Sequence, residues 1–575
     1  MHLIQLLKEL SLQPQSTQEL RRLILDLGIR GRLTKEWREE HSEVESADVL
    51  LERIETAKAK LVEEKKIKKP KPLPTINSEE LPFTVSDSWT WCRFGSLNKN
   101  IHYGYTASAL KTRSGTRMLR ITDIQNDKVD WPRVPDCNIS DSDFPKYALN
   151  NNDILIARTC GTIGKSYLVQ GLNVNSVFAS YLIRAVPTQL VAAEFLKLFL
   201  GTALYWHQLR KKSKGTGQPN VNATSLKNLL MPLPPLAEQK AIVEIVDQLL
   251  AEVDALEQQL QQRVQLKEDY VTAALRQLTR QAPAPAWATL QPHFKSAFDT
   301  PGSVEQLRQA ILQLAVQGKL TAPWRQAHAD KEPSSVLLEK IQAEKDRLVQ
   351  VKKIKKQKAL PPIEAEEVPF ELPEGWVWCR FESVVKEMMY GTSKKTNNNA
   401  SDVPVLRMGN ISSMGELILD KLKYISPEID ELPKLYLKNR DLVFNRTNSY
   451  ALVGKSAVYD RGEQKMTLAS YLIKVTPMID FVDSYYLNLY IVSDACRKYQ
   501  IEPQITAQTN QANFSGSKLK QILLPLPPLA EQKAIVALVD DLLGAFARLK
   551  AGLEAREGLL GDLMKASVRE VRNRR

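Results

Sequence analysis

A chain of 575 residues, 43% hydrophobic and 25% charged, has material for about four globular domains and is too apolar to be a disordered chain. Its net charge of +13 points to a polyanionic partner. No apolar run approaches a membrane span, and the opening MHLIQLLKEL carries an early acid where a signal peptide needs an apolar core. Cys92, Cys137, Cys160, Cys379 and Cys496 are odd in number and form no CxxC, which argues for a reducing, cytoplasmic setting and against a disulfide framework or zinc site.

Residues 1–79 read as a helical frame. Glu19 to Leu27 has helical apolar spacing, a turn follows at Gly31-Arg-Leu-Thr34, and a second helix runs from Leu50 to about Lys66, stopped by the Lys-Pro run from Lys69 to Pro74. That basic run is either a solvated helix end or a strap that contacts phosphate or a charged partner.

Residues 80–231 form a first variable unit of short apolar runs bounded by Gly, Asn and Asp, the pattern of strands and turns. Asp153 to Arg158 followed by Gly161-Thr-Ile-Gly-Lys165 reads as strand, loop, strand. A phosphate-loop reading of Gly161 to Ser166 fails because position 159 is Thr, where that motif requires Gly. Ser180-Tyr-Leu-Ile183 reads as another strand. Lys and Arg outnumber Asp and Glu 18 to 9 between residues 81 and 230. Lys211, Lys212 and Lys214 cluster just before Gln218 and Asn220. These residues, with Tyr103, Lys111, Arg113, Arg117, Arg120 and Arg158, are the candidate DNA contacts of this unit: cations suit phosphates, Arg, Asn and Gln suit base edges, and Tyr can stack.

Residues 232–280 carry a long helix. It starts in Pro232-Leu-Pro-Pro-Leu-Ala-Glu-Gln-Lys-Ala-Ile-Val243, with Glu238 near the positive end of the dipole. Ile242, Val246, Leu249, Val253, Leu256 and Leu260, spaced by alternating fours and threes, give it one apolar seam.

Residues 281–366 comprise a linker, beginning at Gln281-Ala-Pro-Ala-Pro285, and a second frame that repeats the first. Gly318-Lys-Leu-Thr321, Trp324, Leu337 to Ile341, Lys353-Ile-Lys-Lys356 and Trp376 to Phe381 match Gly31 to Thr34, Trp37, Leu50 to Ile54, Lys66 to Lys69 and Trp89 to Phe94 at a constant offset of 287. Residues 367–524 form a second variable unit with the same strand landmarks and different loops, the pattern of one scaffold carrying two recognition surfaces. Here Lys and Arg outnumber Asp and Glu 19 to 15 between residues 378 and 524. Its candidate contacts are Tyr390, Lys394, Lys395, Asn397, Arg407, Arg446, Asn448, Gln508, Asn510, Gln511 and Asn513. Residues 525–575 close the chain with a second long helix. The twelve residues from Pro232 to Val243 return unchanged at Pro525 to Val536, and the new seam is Ile535, Val539, Leu542, Phe546, Leu549 and Leu553. The obvious partner for each seam is the other copy, packed antiparallel, in a pseudo-dimer with an approximate two-fold axis.

Catalytic patterns are lacking. There is no Gly-x-Gly-x-x-Gly, no Asn-Pro-Pro-Tyr or Asp-Pro-Pro-Tyr, and the six His residues make no metal-ligand spacing. The expectation is a non-catalytic binding subunit. The competing classes are a single-chain methyltransferase or nuclease with its own target domains, and a structural adaptor.

The duplicated landmarks resemble the specificity subunit of type I restriction-modification systems. They are Tyr103-Gly104, Leu119-Arg120, Asp153 to Leu155, Gly161, Gly164, Gln218 and Asn220, then Tyr390-Gly391, Leu406-Arg407, Gly454, Gln511 and Asn513, with the repeated Pro-Leu-Pro-Pro-Leu-Ala-Glu-Gln. The long first frame is similar to the subset with an extended N-terminal repeat. One departure is Ser449-Tyr-Ala-Leu where the first half has Gly161-Thr-Ile. The resemblance implies an α+β fold with two target recognition domains, of mixed helix and short strand, joined by two antiparallel coiled-coil helices. Each domain would read one half of a bipartite asymmetric site in double-stranded DNA. The helices would set the spacer and dock two modification subunits that methylate adenine at N6, and restriction subunits would join. S-adenosylmethionine, ATP and Mg would belong to those partners, with no cofactor or metal in this chain.

Overall fold

A computed structural model describes residues 16–110, 115–159, 162–212, 221–280, 283–462, 464–508 and 511–573. The chain divides into two compact units, Met1–Val264 with Leu559–Arg575, and Gln265–Gly558. Both boundaries fall inside long helices.

In the first unit the frame helices Ser16–Ile29 and Ala47–Glu63 bury Leu20, Leu23, Leu27, Leu50 and Ile54. The Trp-Thr-Trp-Cys-Arg motif is the strand Thr90–Arg93, antiparallel to Leu230–Leu233 with Trp91 opposite Pro232. The Pro-Leu that begins the repeated dodecapeptide therefore closes the variable unit, and the helix starts only at Leu236. Inside the unit, four antiparallel strands run in the order Asn98–Tyr103, Leu182–Pro187, Ile154–Ala157, Ser166–Leu168. Alternation sends Ile154, Ile156, Ile183 and Ala185 into the core shared with the frame. Leu155, Ala157 and Leu182 point the other way, into a second core with Leu119 and Phe178. That is the two-residue period of a sheet buried on both faces. The expected strand, loop, strand at 153–165 is the hairpin Ile154–Ala157 with Ser166–Leu168.

The second unit repeats the plan. Val377–Arg380 pairs with Leu523–Leu526, and Val385–Tyr390, Leu472–Pro477, Leu442–Asn445 and Ser456–Val458 form the four-stranded sheet. In this unit Thr447–Asn448, Gln511–Asn513 and Thr506–Gln508 form a three-stranded ribbon, whose first strand ends just before the departure at Ser449. The segment read as a linker is not one: it folds as helices Pro283–Leu290 and Phe294–Ala297, because Leu290, Ala297 and Phe298 are apolar enough to enter a core with Val271, Leu275 and Leu278.

The long helices, Leu236–Arg280 and Leu529–Asn573, have 45 residues each. At 1.5 Å per residue each is about 67 Å long. Their antiparallel course is fixed within the second unit. Asp299 receives Lys267 by its side chain and Arg556 by its carbonyl. At the other end Lys319 holds the Thr279 carbonyl, while Thr321, two residues on, holds Glu531. Val271 to Leu278 thus lie alongside Leu553 to Leu542, the two helices running in opposite directions. Leu542, Phe546, Leu549 and Leu553 pack with Val271, Leu275 and Leu278, as a helix pair requires.

The rest of the seam is a correction. Among the described residues Ile242, Val246 and Val253, with Leu249 and Leu256 partly buried beside them, pack into the core of their own frame and variable unit. Ile535 and Val539 do the same in the second unit. Leu260 is buried as well. The reason is close approach: a Cβ on Gly28 would lie 3.0 Å from Val246 Cγ2, so the frame helix occupies the space a partner helix would need. Among the described residues no helix is long and apolar enough to cross a membrane.

Candidate nucleic-acid interface

The interface depends first on how each variable unit is fastened to its rod. Glu238 is fully buried. Thr34 donates to its Oε1 at 2.6 Å, Arg38 Nη1 to the same oxygen at 2.5 Å, and Trp89 Nε1 to Oε2 at 2.7 Å. Thr321, Arg325 and Trp376 hold Glu531 at 2.7, 2.5 and 2.8 Å. The neighbouring Gln239 accepts from Ala192 N at 2.9 Å and donates to Pro234 O at 2.9 Å; Gln532 does so with Asp483 N and Pro527 O, both at 2.8 Å. One Glu-Gln pair per half thus locks frame, variable unit and helix start together. A dodecapeptide read only as a helix start is kept identical by this clamp. The turn glycine joins it: Gly31 has φ +67°, and a Cβ there would lie 2.8 Å from Trp89. Its carbonyl accepts from Arg38 Nη2 at 2.7 Å.

On each clamped unit the same side-chain pair recurs. Tyr103 ends its strand, and Gly104 follows because a Cβ there would lie 2.3 Å from the carbonyls of Phe178 and Ala179; Gly391 meets Leu468 and Ala469 at the same distance. This close passage brings Tyr103 beside Arg158, whose guanidinium lies 4.6 Å from the ring centre, and Tyr390 beside Arg446 at 5.0 Å. Each Tyr hydroxyl accepts from the first backbone amide of a short helix, Ala223 N at 3.1 Å and Gly516 N at 3.0 Å. The Arg backbone is held on both sides. Arg158 donates to Tyr181 O and accepts from Val221 N, and Arg446 does the same with Tyr471 O and Phe514 N.

The guanidinium groups are less engaged than their backbones. Among the described residues Nε of both Arg158 and Arg446 is buried without a hydrogen-bond partner. Arg158 Nη1 reaches Ser180 O only at 3.5 Å. A planar cation stacked on an exposed Tyr, with donors left over, is suited to a phosphate or a base edge.

In the second unit the ribbon gathers further candidates beside Arg446. Thr447 lies opposite Asn513 and Asn448 opposite Ala512. Asn513 accepts from Thr447 Oγ1 at 2.6 Å and Asn448 from Ser449 N at 2.8 Å, so both keep their amide NH2 donors. Gln511, Lys394 and Lys395 are exposed. Asn397 shapes its own loop by donating to Asp402 at 2.7 Å and accepting from Asn399 N.

Three expected contacts are engaged elsewhere. Arg117 pairs with the buried Asp136 at 2.6 Å. Arg120 grips Asp123 through Nε at 2.9 Å and Nη2 at 2.6 Å, and that bonding raises its pKa further. Arg407 donates to Lys421 O at 2.8 Å while its backbone N–H donates to Asn410. The duplicated Leu-Arg therefore builds the start of a tight turn at 121–123 and 408–410, because a carboxylate or amide three residues on can reach back. Lys211 is exposed in the last turn of the helix Ala203–Lys212. Lys111, Arg113, Lys214, Gln218, Asn220 and Asn510 lie outside the described residues, as do the side chains of Lys212 and Gln508.

Sequence reasoning missed two residues here. Tyr181 is 62% exposed and Tyr471 43%, and the carbonyl of each accepts from the backbone N–H of its Arg. Both stand in duplicated Ser-Tyr-Leu-Ile, which periodicity reads as strand; the available signal was a large aromatic repeated at the one position that precedes the buried run. His102 accepts from Arg184 Nε at 3.1 Å, and burial followed by that cation lowers its pKa to about 4, so it is a packed neutral His.

Known proteins share this architecture. A family model described as the type I restriction modification DNA specificity domain matches residues 110–266 and 373–556, together more than half of the chain. The EcoAI specificity subunit of Escherichia coli is 30% identical over 562 residues, covering 93% of this chain and 90% of that protein. The EcoEI specificity subunit of Escherichia coli is 28% identical over 569 residues, covering 94% and 91%. A solved chain from work on complex assembly and conformational transition of the type I R-M system is similar in fold, with a TM-score of 0.50 and 19% identity over 85% of this chain and 99% of that one. A family match over more than half of the chain, and a relative 30% identical over nearly its whole length, show that the chain belongs to the type I restriction-modification specificity subunits.

Proposed function

We propose that each variable unit of this specificity subunit reads one half of a bipartite, asymmetric site in double-stranded DNA, and that the antiparallel helices set the spacer between the halves. The frames and helices dock two modification subunits, and restriction subunits join that complex. S-adenosylmethionine, ATP and Mg are used by those subunits, and this chain, working in the cytoplasm, sets where they act without reacting itself. The observation that carries the reading is the recurrence of a stacked Tyr and an under-bonded Arg at matched positions, Tyr103 with Arg158 and Tyr390 with Arg446, inside loops that otherwise differ. Identical anchors hold the duplex, and dissimilar loops supply two different half-site preferences. The test is to map methylated adenines in host DNA with this chain as the only specificity subunit, then replace residues 80–231 with the matching unit of a relative. One half of the target changes and the other stays. A change in both halves, or in neither, overturns the modular reading.

A further inference from the structure

We propose that the lysine-rich strap after each frame helix is a phosphate track, which carries the duplex beyond the bases read by the adjacent variable unit. This rests on the DNA-reading function above and extends it to a surface outside the variable loops.

In the second unit the strap walls a groove of about 1090 Å³ with Lys353, Lys355, Lys356 and Lys358, and Lys386 and Lys520 approach from the recognition domain. Only two carboxylates line it, Glu382 and Glu387. Glu382 is already paired with Lys520 at 2.6 Å. The four strap lysines are exposed. Their backbone is not left to wander. Lys352 turns the chain out of the helix Ser334–Gln350 with φ +55°, and Lys65 has the same angle after Ala47–Glu63. Further on, Arg380 binds the carbonyls of Pro361 and Pro362 at 3.4 and 2.8 Å, and Arg93 binds those of Pro74 and Thr75 at 3.3 and 3.1 Å. Both ends are tied, so the row of cations stands on an anchored segment that leaves the helix end at Lys353 and runs without helix or strand to Pro361.

The row is duplicated. Lys66, Lys68, Lys69 and Lys71 precede Lys353, Lys355, Lys356 and Lys358 by 287 positions, and Lys99 precedes Lys386 by the same offset. Gly95 and Asn100 stand where the second half has Glu382 and Glu387, so the first copy is the more positive. A solvated helix end would not need the same lysines at the same spacing twice.

The occupant follows from continuity. Met388, Ser517 and Lys520 line the groove and also line the smaller cavity of about 290 Å³ against Tyr390. The track therefore starts at the Tyr–Arg anchor, where the duplex is held, and leads away from it. From Lys353 to Lys358 an extended chain reaches at most roughly 17 Å, about five base pairs of one strand at 3.4 Å each. An acidic segment of a modification subunit is the competing occupant.

The test uses the assembled methylation complex. K353Q/K355Q/K356Q/K358Q is compared with the unchanged chain on duplexes that end at the target half and on duplexes that run ten or more base pairs past it. The expected result is a salt slope of log K against log [salt] smaller by about 3.6 on the long duplex, since each of the four lost phosphate contacts removes about 0.9. The affinity gained from the longer flank disappears, while methylation keeps the same target sequence. An unchanged slope with the flank gain intact overturns the track. Loss of modification-subunit assembly, read by sizing the complex without DNA, overturns it in favour of an acidic protein partner. If the unchanged chain shows no site preference, the DNA-reading function itself has failed, which is a different outcome from either. K66Q/K68Q/K69Q/K71Q repeats the measurement on the opposite flank.

Discussion

Replacing Glu531 by Ala tests the clamp on which the geometry of the interface depends. The carboxylate accepts one charge-assisted bond from Arg325 and neutral bonds from Thr321 and Trp376 Nε1. A hydrogen bond to a charged group is worth about 1.5–3 kcal/mol and a neutral one about 1, so the three together come to roughly 3.5–5 kcal/mol. The Arg325 side chain is 22% exposed, so water recovers part of its bonding and the expected loss falls to about 3 kcal/mol, the low end for breaking a buried pair. The helix start should therefore open about a hundredfold more often, since each 1.4 kcal/mol is a factor of ten. Hydrogen–deuterium exchange of the amides in residues 529–539 measures that opening directly. E531Q keeps an acceptor and loses the charge, and should cost less than E531A. In a double-mutant cycle E531A and R325A should be strongly non-additive. A cost below 1 kcal/mol, or additivity of the two changes, would refute the clamp as the link between rod and recognition unit.

Other outcomes follow from the same geometry. R446A should weaken binding to the target duplex by about ten- to a hundredfold, equivalent to roughly 1–3 kcal/mol, and R446K should only partly restore it because Lys cannot stack on Tyr390; binding assays of R158A and R446A that match the unchanged chain would remove both from the interface. His102 is held near pKa 4, below the ordinary 6.5, so its contribution to stability is complete above pH 6.5 and declines as pH falls from 6.5 toward 4, where the unfolded chain takes up a proton that the folded chain refuses. H102Q, which keeps a neutral acceptor for Arg184, should unfold with a shallower pH dependence over that window; a thermal-unfolding profile parallel to that of the unchanged chain would contradict this. Seven extra residues inserted after Val264 and again after Gly558, where the long helices leave one compact unit for the other, add about 10.5 Å and keep the seam nearly in phase. The spacer in the methylated site should lengthen by about three base pairs, and an unchanged spacer would show that the helices are not the ruler.

The repeat structure, the two rods, the hairpins at 153–168 and 441–458 and the matched tyrosines were legible from the chain because each is local. A heptad, a two-residue alternation or a repeated motif declares itself within a few turns of its own sequence. What the seam residues touch was not legible. Val246 and Leu549 are both seam residues, yet one meets its own frame and the other packs with Val271, Leu275 and Leu278, and their distance along the rod from the frame separates them. Charge told still less. Arg117, Arg120, Arg158 and Arg446 are alike as letters, but the first two are closed by Asp136 and Asp123 while the last two keep open donors over a Tyr ring. Sequence by itself determined that there are two halves, which elements each contains and where the cations lie along the chain. Tertiary structure decided which cations remain free for a ligand and why Glu238 and Glu531 are invariant between the copies. An arginine is neutralised, and a carboxylate is caged, by groups far away in the chain, and the packing of the core alone decides which of those groups arrive.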